Sequence, residues 1–345
     1  MNIHLPNKAQ LLSGKKMQDS FGRNIEYLRL SVTDRCDLRC AYCMDEKMTF
    51  LPKSDLLTLE ELEQLAQAFI AKGIRKIRIT GGEPLVRRDI LTLIKRLGAK
   101  LKLGEFDELT LTTNGTLLSK YAAILYESGI RRINVSLDSL RPEIFKKLTR
   151  RDSLAQVING IFAAQKAGLK VKINVVALKN VNADEIADII KWAHHHDMEI
   201  SLIEVMPLGE IRDDRLDQYL PLSLVRQNLE KNWTLRNIDK KTGGPARYVK
   251  IDETGGILGF ITPLTHNFCD GCNRVRVTCT GRVYMCLGQD IYVDLRSALR
   301  GENSEEMLDK QIAIAMREKP LRHDFSITKP NQMAQIKRHM SVTGG

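Results

Sequence analysis

Short apolar runs alternate with amphipathic stretches along the first two thirds of the chain. The runs have the length of strands, and the stretches between them repeat hydrophobic residues at helical spacing. Thr58 and Glu61 have the spacing of a capping box at the start of the first such stretch. The pattern predicts strands at 25–33, 74–80, 108–113, 132–137, 171–177 and 199–205, and helices at about 58–70, 88–97, 117–127, 154–166 and 184–195.

Strands and helices that alternate over short connections imply parallel strands joined by right-handed crossovers. Six such units are too few for the usual eight-stranded barrel. We therefore predict an α/β fold, an incomplete (β/α)6 barrel of the TIM type that is open on one side. After Pro207, short elements and many glycines predict a smaller region that covers the open side. The predicted divisions are an arm at 1–24, the partial barrel at 25–207, the smaller region at 208–330 and a tail at 331–345.

Composition and cysteine content indicate the cellular compartment of the protein. The 345 residues are 43% hydrophobic, which is ordinary for a globular protein. No apolar run approaches the ~20 residues that a membrane-spanning helix needs. The start of the chain lacks the charged-then-apolar order of a secretory signal. The seven cysteines are clustered by spacing and odd in number, so they do not suggest a disulfide framework. We therefore expect a cytoplasmic protein.

The formal net charge of +11 calls for an explanation by a partner. A basic surface could serve nucleic acid, acidic lipid or a polyphosphate. The sequence contains no long block of Lys and Arg with interleaved aromatics, and its aromatic content is only 6%. Positive charges at isolated strand positions suit a small anionic ligand better than a duplex. A basic surface that merely keeps the protein dissolved is the alternative.

Three cysteines, Cys36, Cys40 and Cys43, lie within eight residues after the first apolar run. Thiolates this close on a loop can converge on one inorganic group, and cysteine sulfur is the usual ligand of an iron–sulfur cluster. Three ligands are one short of the four that a four-iron cubane takes from protein. One iron would then be open to a ligand that is not protein, as in catalytic sites. Zinc is the alternative, but structural zinc prefers two separated cysteine pairs.

The C-x3-C-x2-C run, with Tyr42 before its last cysteine, resembles the radical S-adenosylmethionine (SAM) enzymes. In that family the open iron is chelated by the amino and carboxylate groups of SAM. Gly81-Gly82-Glu83-Pro84, directly after the second predicted strand, is similar to the family's GGEP element beside the SAM amino group. The resemblance implies a partial barrel of the radical SAM class, and SAM contacts at Tyr42, Gly82, Ser136 and Met206.

Polar side chains also occur inside the predicted apolar strands, at Arg29, Arg78, Thr112 and Lys172. A positive charge there is costly unless it reaches water or meets an anion. Several such charges directed at one cavity predict a triphosphate or a similar ligand.

A second set of cysteines, Cys269, Cys272 and Cys286, again suggests a cluster with one unprotected iron. Zinc is an equal alternative here, because Cys279 or His266 could supply a fourth ligand. Spacing alone leaves both possibilities open.

Arg274 and Arg276 follow the second cysteine pair and alternate with valines, so both point to one side of an extended segment. A solvated strand face is the alternative explanation. Together with the cysteine sets and a terminal Gly344-Gly345, this run resembles the radical SAM enzymes that act on GTP in molybdenum-cofactor biosynthesis. The resemblance extends from about Gly22 to the end of the chain.

This closer resemblance implies two 4Fe–4S clusters, SAM, and a bond formed between C3′ of the GTP ribose and C8 of its guanine. It also implies that Gly344 and Gly345 reach into the barrel. The GTP contacts that it implies are Arg29, Arg78, Thr112, Lys172, Arg274, Val275 and Arg276.

The same resemblance implies partners: a reduced electron donor, a downstream cyclic pyranopterin monophosphate synthase that takes the product, and a second copy in a homodimer. No nucleic acid and no membrane are expected. One alternative is a radical SAM peptide-modifying enzyme with an auxiliary cluster, which would need more C-terminal cysteines. Another is a basic nucleic-acid-binding protein with two zinc modules.

Overall fold

The computed structural model describes residues 16–209, 215–325, 327 and 336–344. Six strands in the first two thirds pair in parallel in chain order, so the predicted alternation is confirmed. They are β1 (Tyr27–Ser31), β2 (Lys76–Thr80), β3 (Glu108–Thr113), β4 (Arg132–Ser136), β5 (Lys170–Ala177) and β6 (Glu199–Glu204).

The crossover helices of this part are α1 (Leu59–Ala71), α2 (Ile90–Lys102), α3 (Leu118–Glu127), α4 (Pro142–Thr149), α5 (Leu154–Lys166) and α6 (Ile186–His195). The capping box of α1 is formed, because Thr58 Oγ1 accepts from the Glu61 amide at 3.1 Å and Glu61 accepts from the Thr58 amide at 2.7 Å. The pattern did not predict α4, which shares one crossover with α5. Short 3-10 turns lie at Lys53–Asp55 and Pro84–Val86.

The C-terminal part extends the same sheet at both of its edges. β9 pairs in parallel with β6 and continues antiparallel into β8 and β7, whereas β10 pairs in parallel with β1 and continues antiparallel into β11 and β12. The twelve strands run β12-β11-β10-β1-β2-β3-β4-β5-β6-β9-β8-β7, and hydrogen bonds do not close them into a barrel. The added strands are β7 (Leu235–Ile238), β8 (Arg247–Ile251), β9 (Ile257–Ile261), β10 (Arg274–Val277), β11 (Arg282–Tyr284) and β12 (Tyr292–Asp294).

The C-terminal part therefore shares one sheet with the first six strands. An edge strand of a parallel sheet carries unpaired backbone groups, and β9 and β10 satisfy those of β6 and β1. The helices of this part are α7 (Leu222–Glu230), α8 (Arg296–Arg300), α9 (Ser304–Arg317) and α10 (Met340–Thr343), with a 3-10 turn at Arg215–Gln218.

Alternation along each strand separates a hydrophobic layer from a polar interior. In β1, Leu28 and Leu30 join the core that lies between strands and helices, whereas Tyr27 and Arg29 line an internal cavity. The period of two that places leucines outward therefore places a charge inward. None of the helices in the described part of the chain is long and apolar enough to cross a membrane.

The two ends of the described chain are docked against the rest. In the predicted arm, the Met17 amide donates to Lys72 O at 3.1 Å and the Ile25 amide to Met17 O at 2.8 Å. In the predicted tail, the Gly209 amide donates to Ile336 O at 2.7 Å. Residues 1–15 of the arm, and residues 331–335 and 345 of the tail, lie outside the described residues.

Candidate active site

Two adjoining cavities lie inside the curve of the parallel strands. The first contains the three cysteines that follow β1, and the second contains the three C-terminal cysteines. Including the space up to their open mouths, the two cavities have volumes of about 1170 and 1230 Å³. Each is therefore large enough for a nucleotide-sized ligand. The cavities adjoin, because five residues line both: Thr112, Asn174, Ile203, Met206 and Met340.

The first cavity brings together every residue that the sequence associates with SAM. Its lining includes Cys36, Cys40, Cys43, Tyr42, Gly82, Ser136 and Met206. These residues come from the loop after β1 and from the carboxyl ends of β2, β4 and β6, which meet at one edge of a parallel sheet.

Hydrogen bonds to neighbouring elements fix the first cysteine loop. The Ala41 amide donates to Leu148 O at 2.8 Å, at the end of α4. The Asp37 carboxylate accepts from Asn114 Nδ2 and from Thr116 Oγ1, both at 2.6 Å. Asn114 Nδ2 also lies 3.7 Å from Cys36 Sγ. Asn114, directly after β3, therefore supports the cysteine loop.

The Gly81-Gly82-Glu83-Pro84 element packs directly on that loop. A Cβ atom added to Gly82 would lie 2.3 Å from Arg35 O, so no larger residue fits there. Glu83 is fully buried, and its carboxylate accepts from the Leu85 amide at 3.0 Å, Thr113 Oγ1 at 2.9 Å and the Asn114 amide at 2.6 Å. Burial raises the pKa of Glu83 to about 7. Glu83 therefore joins β3 to the loop, and it is the glycines that face the cavity.

Burial also dominates the titratable groups of the first cavity. It raises the pKa of the Cys36 and Cys40 thiols well above the ordinary value. Tyr42 donates its hydroxyl proton to Asp138 Oδ2 at 2.5 Å, and burial raises the pKa of Asp138 to about 6. Because buried thiolates need positive charge, this cysteine set fits the cationic core of an iron–sulfur cluster.

The second cavity has a strongly cationic wall. Among its described lining residues there are cations but no carboxylate, namely Arg29, Lys76, Arg78, Arg132, Lys172, Arg274 and Arg276. The register explains why they meet. Arg276 in β10 lies opposite Arg29 in β1, which lies opposite Arg78 in β2. Three arginines from three neighbouring strands therefore form one row across the sheet.

The neighbouring row joins this wall to Tyr27. Tyr27 lies between Arg274 and Lys76 in the register, and it accepts a hydrogen bond from the guanidinium of Arg78. Burial raises the pKa of Tyr27, but the charges of Arg78, Arg29 and Lys76 outweigh burial and lower it to about 8. Burial lowers the pKa of Arg29 to about 10. Positive charge is therefore in excess in this part of the cavity.

A third row carries the remaining predicted residues. Thr112 in β3 lies opposite Asn134 in β4, which lies opposite Lys172 in β5. Arg78 Nη1 donates to Thr112 Oγ1 at 3.0 Å, and Lys172 Nζ donates to the Tyr248 hydroxyl at 2.7 Å. Burial, reinforced by neighbouring cations, lowers the pKa of Lys172 to about 7. An anion bound here would relieve that penalty.

Cys269, Cys272 and Cys286 line the second cavity and do not line the first. Burial raises the pKa of Cys272, but Arg274 and Lys319 lower it to about 6. Neither residue that could complete a zinc site lines this cavity. Cys279 is fully buried away from it, and His266 is exposed.

No group of three or more His, Cys, Asp or Glu residues in the described ranges is placed to hold a metal ion. Neither cysteine set is therefore arranged in advance around a single ion. The fit of a cluster rests on the donor type, on three thiols sharing a cavity wall, and on the charges beside them.

One predicted GTP contact lies outside the cavity lining, and two lining cations were not predicted. Val275 does not line the cavity, because the alternation that directs its two arginine neighbours inward buries its side chain in the core. Its contact with GTP stays a prediction. Lys76 and Arg132 were not predicted, although each begins a strand and both contact Glu108, Lys76 at 2.9 Å. Their positions in apolar strands gave the same signal as Arg78.

The tail reaches this cationic wall. Arg276 Nη1 donates to Gly344 O at 2.7 Å. Gly344 has φ of +73°, and a Cβ atom there would lie 2.0 Å from Thr80 Oγ1. The position thus accepts only glycine. Gly345, the other half of the predicted pair, lies outside the described residues.

Comparisons with known proteins agree with these features. The family description of the radical SAM superfamily matches residues 30–193, and that of Molybdenum Cofactor Synthesis C matches residues 198–325. A protein named GTP 3′,8-cyclase from Rhizobium etli (strain CIAT 652) is 60% identical over 329 residues, which are 95% of this chain and 94% of that protein. The chain belongs to the GTP 3′,8-cyclase family.

Other members of this GTP 3′,8-cyclase family are similarly close. The protein of that name from Brucella ovis (strain ATCC 25840 / 63/290 / NCTC 10512) is 60% identical over 95% of this chain and 96% of its own length. The one from Rhizobium meliloti (strain 1021) is 59% identical over 95% of this chain and 94% of its own length. Family membership makes the chain an enzyme of the radical SAM class.

Solved structures agree on the fold. Streptococcus suis SuiB bound to S-adenosylmethionine superposes with a TM-score of 0.60 at 16% identity, over 85% of this chain and 68% of that one. The protein described as native anSMEcpe with bound AdoMet gives 0.59 at 17% identity, over 87% of this chain and 82% of that one. At such identity these neighbours establish the radical SAM fold alone.

Proposed function

We propose that this chain converts GTP to 3′,8-cyclo-7,8-dihydroguanosine 5′-triphosphate, the first step of molybdenum-cofactor biosynthesis, as a radical SAM enzyme. The observation that carries the proposal is that the two cavities adjoin and share lining residues. Three thiols beside a glycine turn lie in one cavity, and three thiols beside a cationic wall lie in the other. A radical generated in one cavity would therefore arise next to a triphosphate ligand in the other.

The first cavity supplies what a SAM site needs. As a member of the radical SAM class, the chain uses SAM and an iron–sulfur cluster. We assign that cluster to Cys36, Cys40 and Cys43. When bound, the cluster and SAM supply a 5′-deoxyadenosyl radical that takes hydrogen from C3′ of the ribose. The backbone at Gly82, the Ser136 hydroxyl and the backbone at Met206 would hold SAM, and Tyr42 fixes the loop through Asp138.

The second cavity supplies what a GTP site needs. The row of Arg276, Arg29 and Arg78, with Lys172 beside it, would bind the triphosphate through charge-assisted hydrogen bonds. These cations are buried without a carboxylate among the cavity's described lining residues, so an anion would lower their free energy. We assign a second 4Fe–4S cluster to Cys269, Cys272 and Cys286, which would hold it, and bound there it would supply a binding site for the guanine.

The chain's own contribution to ring closure is position. Fixing the triphosphate at the wall sets the ribose between the cavities, where shared residues such as Thr112 and Asn174 lie. Holding reacting groups in one orientation removes much of the entropic barrier. Met340, in the tail helix, lines both cavities and would help exclude water. We further propose a reduced electron donor, a homodimer and hand-off to a cyclic pyranopterin monophosphate synthase as the enzyme's partners.

The test is anaerobic reconstitution of the full chain followed by incubation with SAM, GTP and dithionite. We expect about eight irons per chain and formation of 5′-deoxyadenosine. When GTP is deuterated at C3′, we expect one deuterium to appear in the 5′-deoxyadenosine. GTP that stays intact while SAM is cleaved would refute the assigned substrate. About four irons would refute the second cluster and leave the radical SAM class standing. Tightly bound zinc at the C-terminal cysteines would favour the structural alternative.

A further inference from the structure

One buried lysine behind the second cysteine set has no role in the function proposed above. Lys319 follows α9 directly and is only 2% exposed. It does not line either cavity, so it does not contact a ligand bound there. A buried ammonium group is costly, and its position therefore requires an explanation from its neighbours.

The hydrogen bonds of the Lys319 ammonium group all go to the segments that carry the cysteines. Its Nζ atom donates to Met285 O at 2.7 Å, to Arg274 O at 3.0 Å and to Cys272 Sγ at 3.7 Å. Met285 directly precedes Cys286. One ammonium group therefore connects the Cys272 segment to the Cys286 segment from the side away from the cavity.

The charges around this ammonium group point to anionic sulfur. Its described ion-pair and hydrogen-bond partners include no carboxylate, and the cations Arg23 and Arg274 disfavour its charge. The groups that can offset its charge are the sulfur atoms of Cys272 and Cys286. Cysteines are thiolates when they ligate iron. The buried lysine is thus electrostatically favourable when the second cysteine set carries a cluster.

A second cation secures the position of this lysine. Arg23 of the docked arm donates to Cys269 O at 2.7 Å, Pro320 O at 2.6 Å and Leu321 O at 2.8 Å. Its guanidinium also pairs with Asp19 at 2.6 Å. The residues after Lys319 are therefore tied to Cys269, the remaining cysteine of the set, and the lysine has little freedom to turn away.

We propose that Lys319 is a positioning residue of the second cluster. It joins two of the segments that carry the cluster's cysteines, and its positive charge raises the reduction potential of the cluster. The inference depends on the proposed second cluster. A positive charge beside a cluster stabilises its reduced, more negative state, so the potential rises.

The test uses the full-length chain with Cys36, Cys40 and Cys43 changed to Ala, so that only the second cluster is observed. Into this parent we place Lys319→Gln, which removes the charge, and Lys319→Arg, which keeps it. Lys310→Gln is the matched control. Lys310 lies on α9, but its side chain is 62% exposed and forms an ion pair with Glu306. Iron content and an anaerobic redox titration followed by electron paramagnetic resonance are measured on each.

We expect Lys319→Gln to shift the midpoint potential to a more negative value or to lose iron. Lys319→Arg and Lys310→Gln should stay close to the parent in both measurements. Full iron content with an unchanged potential in Lys319→Gln would overturn the inference. A parent that binds no iron would instead overturn the proposed second cluster, and this inference with it.

Loss of iron in Lys319→Gln needs one further measurement, since the lysine could simply stabilise the core. Thermal unfolding of the metal-free proteins separates the two. Equal melting temperatures for metal-free parent and metal-free Lys319→Gln would place the effect at the cluster. A metal-free Lys319→Gln that already melts far below its parent would show a purely structural role and overturn the proposal.

Discussion

Replacing Gly344 by Ala tests whether the tail takes part in the reaction. The carbonyl of Gly344 accepts from Arg276 at 2.7 Å, and Arg276 belongs to the arginine row of the second cavity. An added Cβ atom would lie 2.0 Å from Thr80 Oγ1 and 2.5 Å from Thr80 Cβ. Thr80 ends β2 and is buried, so it cannot move aside at low cost. The tail must therefore leave its place.

The size of the effect follows from two terms. The left-handed conformation at φ of +73° costs a residue with a side chain about 1–2 kcal/mol. Losing a hydrogen bond to the charged guanidinium of Arg276 costs roughly 1.5–3 kcal/mol. A combined loss of about 3 kcal/mol corresponds to roughly a hundredfold lower population of the docked tail. If docking is needed for turnover, cyclisation should fall by about the same factor.

The assay compares GTP cyclisation with 5′-deoxyadenosine formation in the reconstituted Gly344→Ala enzyme. Iron content and melting temperature should stay near those of the unmodified chain, because the tail adds little to the core. Gly104→Ala is the matched control, since Gly104 has nearly the same φ, +78°, but no atom within 4 Å of its added Cβ. A Gly344→Ala enzyme that makes cyclised product at the unmodified rate would refute the reasoning.

Three further predictions concern the two cavities. Cys36→Ser should abolish SAM cleavage, whereas Cys286→Ser should lose the second cluster yet retain some uncoupled cleavage; equal loss of 5′-deoxyadenosine in both would contradict the division of roles. Arg274→Ala or Arg276→Ala should weaken GTP binding about tenfold or more and leave SAM binding unchanged, because a charge-assisted contact contributes roughly 1.5–3 kcal/mol. Equilibrium dialysis that shows normal GTP affinity in both variants would exclude the assignment. Burial lowers the pKa of Lys172 to about 7, so its charge is lost as the pH rises through 7. GTP affinity should therefore fall between pH 7 and 9, and Lys172→Arg should flatten that profile. Identical pH profiles for the unmodified enzyme and Lys172→Arg would remove Lys172 from the phosphate site.

Local patterns in the sequence were sufficient for the parallel strands and for the first cysteine loop. The charge of Arg29 inside an apolar strand has one inexpensive explanation, an internal anion, and the structure places it in a cavity. The pattern assigned Cys286 to the second cysteine set and left Cys279 open as a fourth ligand for zinc. The turn after β10 buries Cys279 in the core, whereas Cys286 follows β11 and lines the cavity.

What the sequence could not supply is the register between distant strands. Lys319 illustrates this limit, because a lysine after an amphipathic helix gives no local sign that it will be buried against Cys272. Its partners are 45 and 34 residues away along the chain, in Arg274 and Met285. Contacts of this kind depend on how β10 and β11 join the sheet, and helical or strand periodicity carries no information about that.

The pairing of β10 with β1 has a consequence for the site as a whole. It places Arg276 next to Arg29, and it brings the second cysteine set to the same cavity as the arginine row. The cationic wall is thus shared between the radical SAM part and the C-terminal part, and neither part contains it alone. Binding of a triphosphate would therefore tie the two parts together, because its charges would be neutralised by strands from both. Ligand binding at this wall should for that reason stabilise β10 against local opening more than β9, whose Ile261 lines the same cavity but carries no charge.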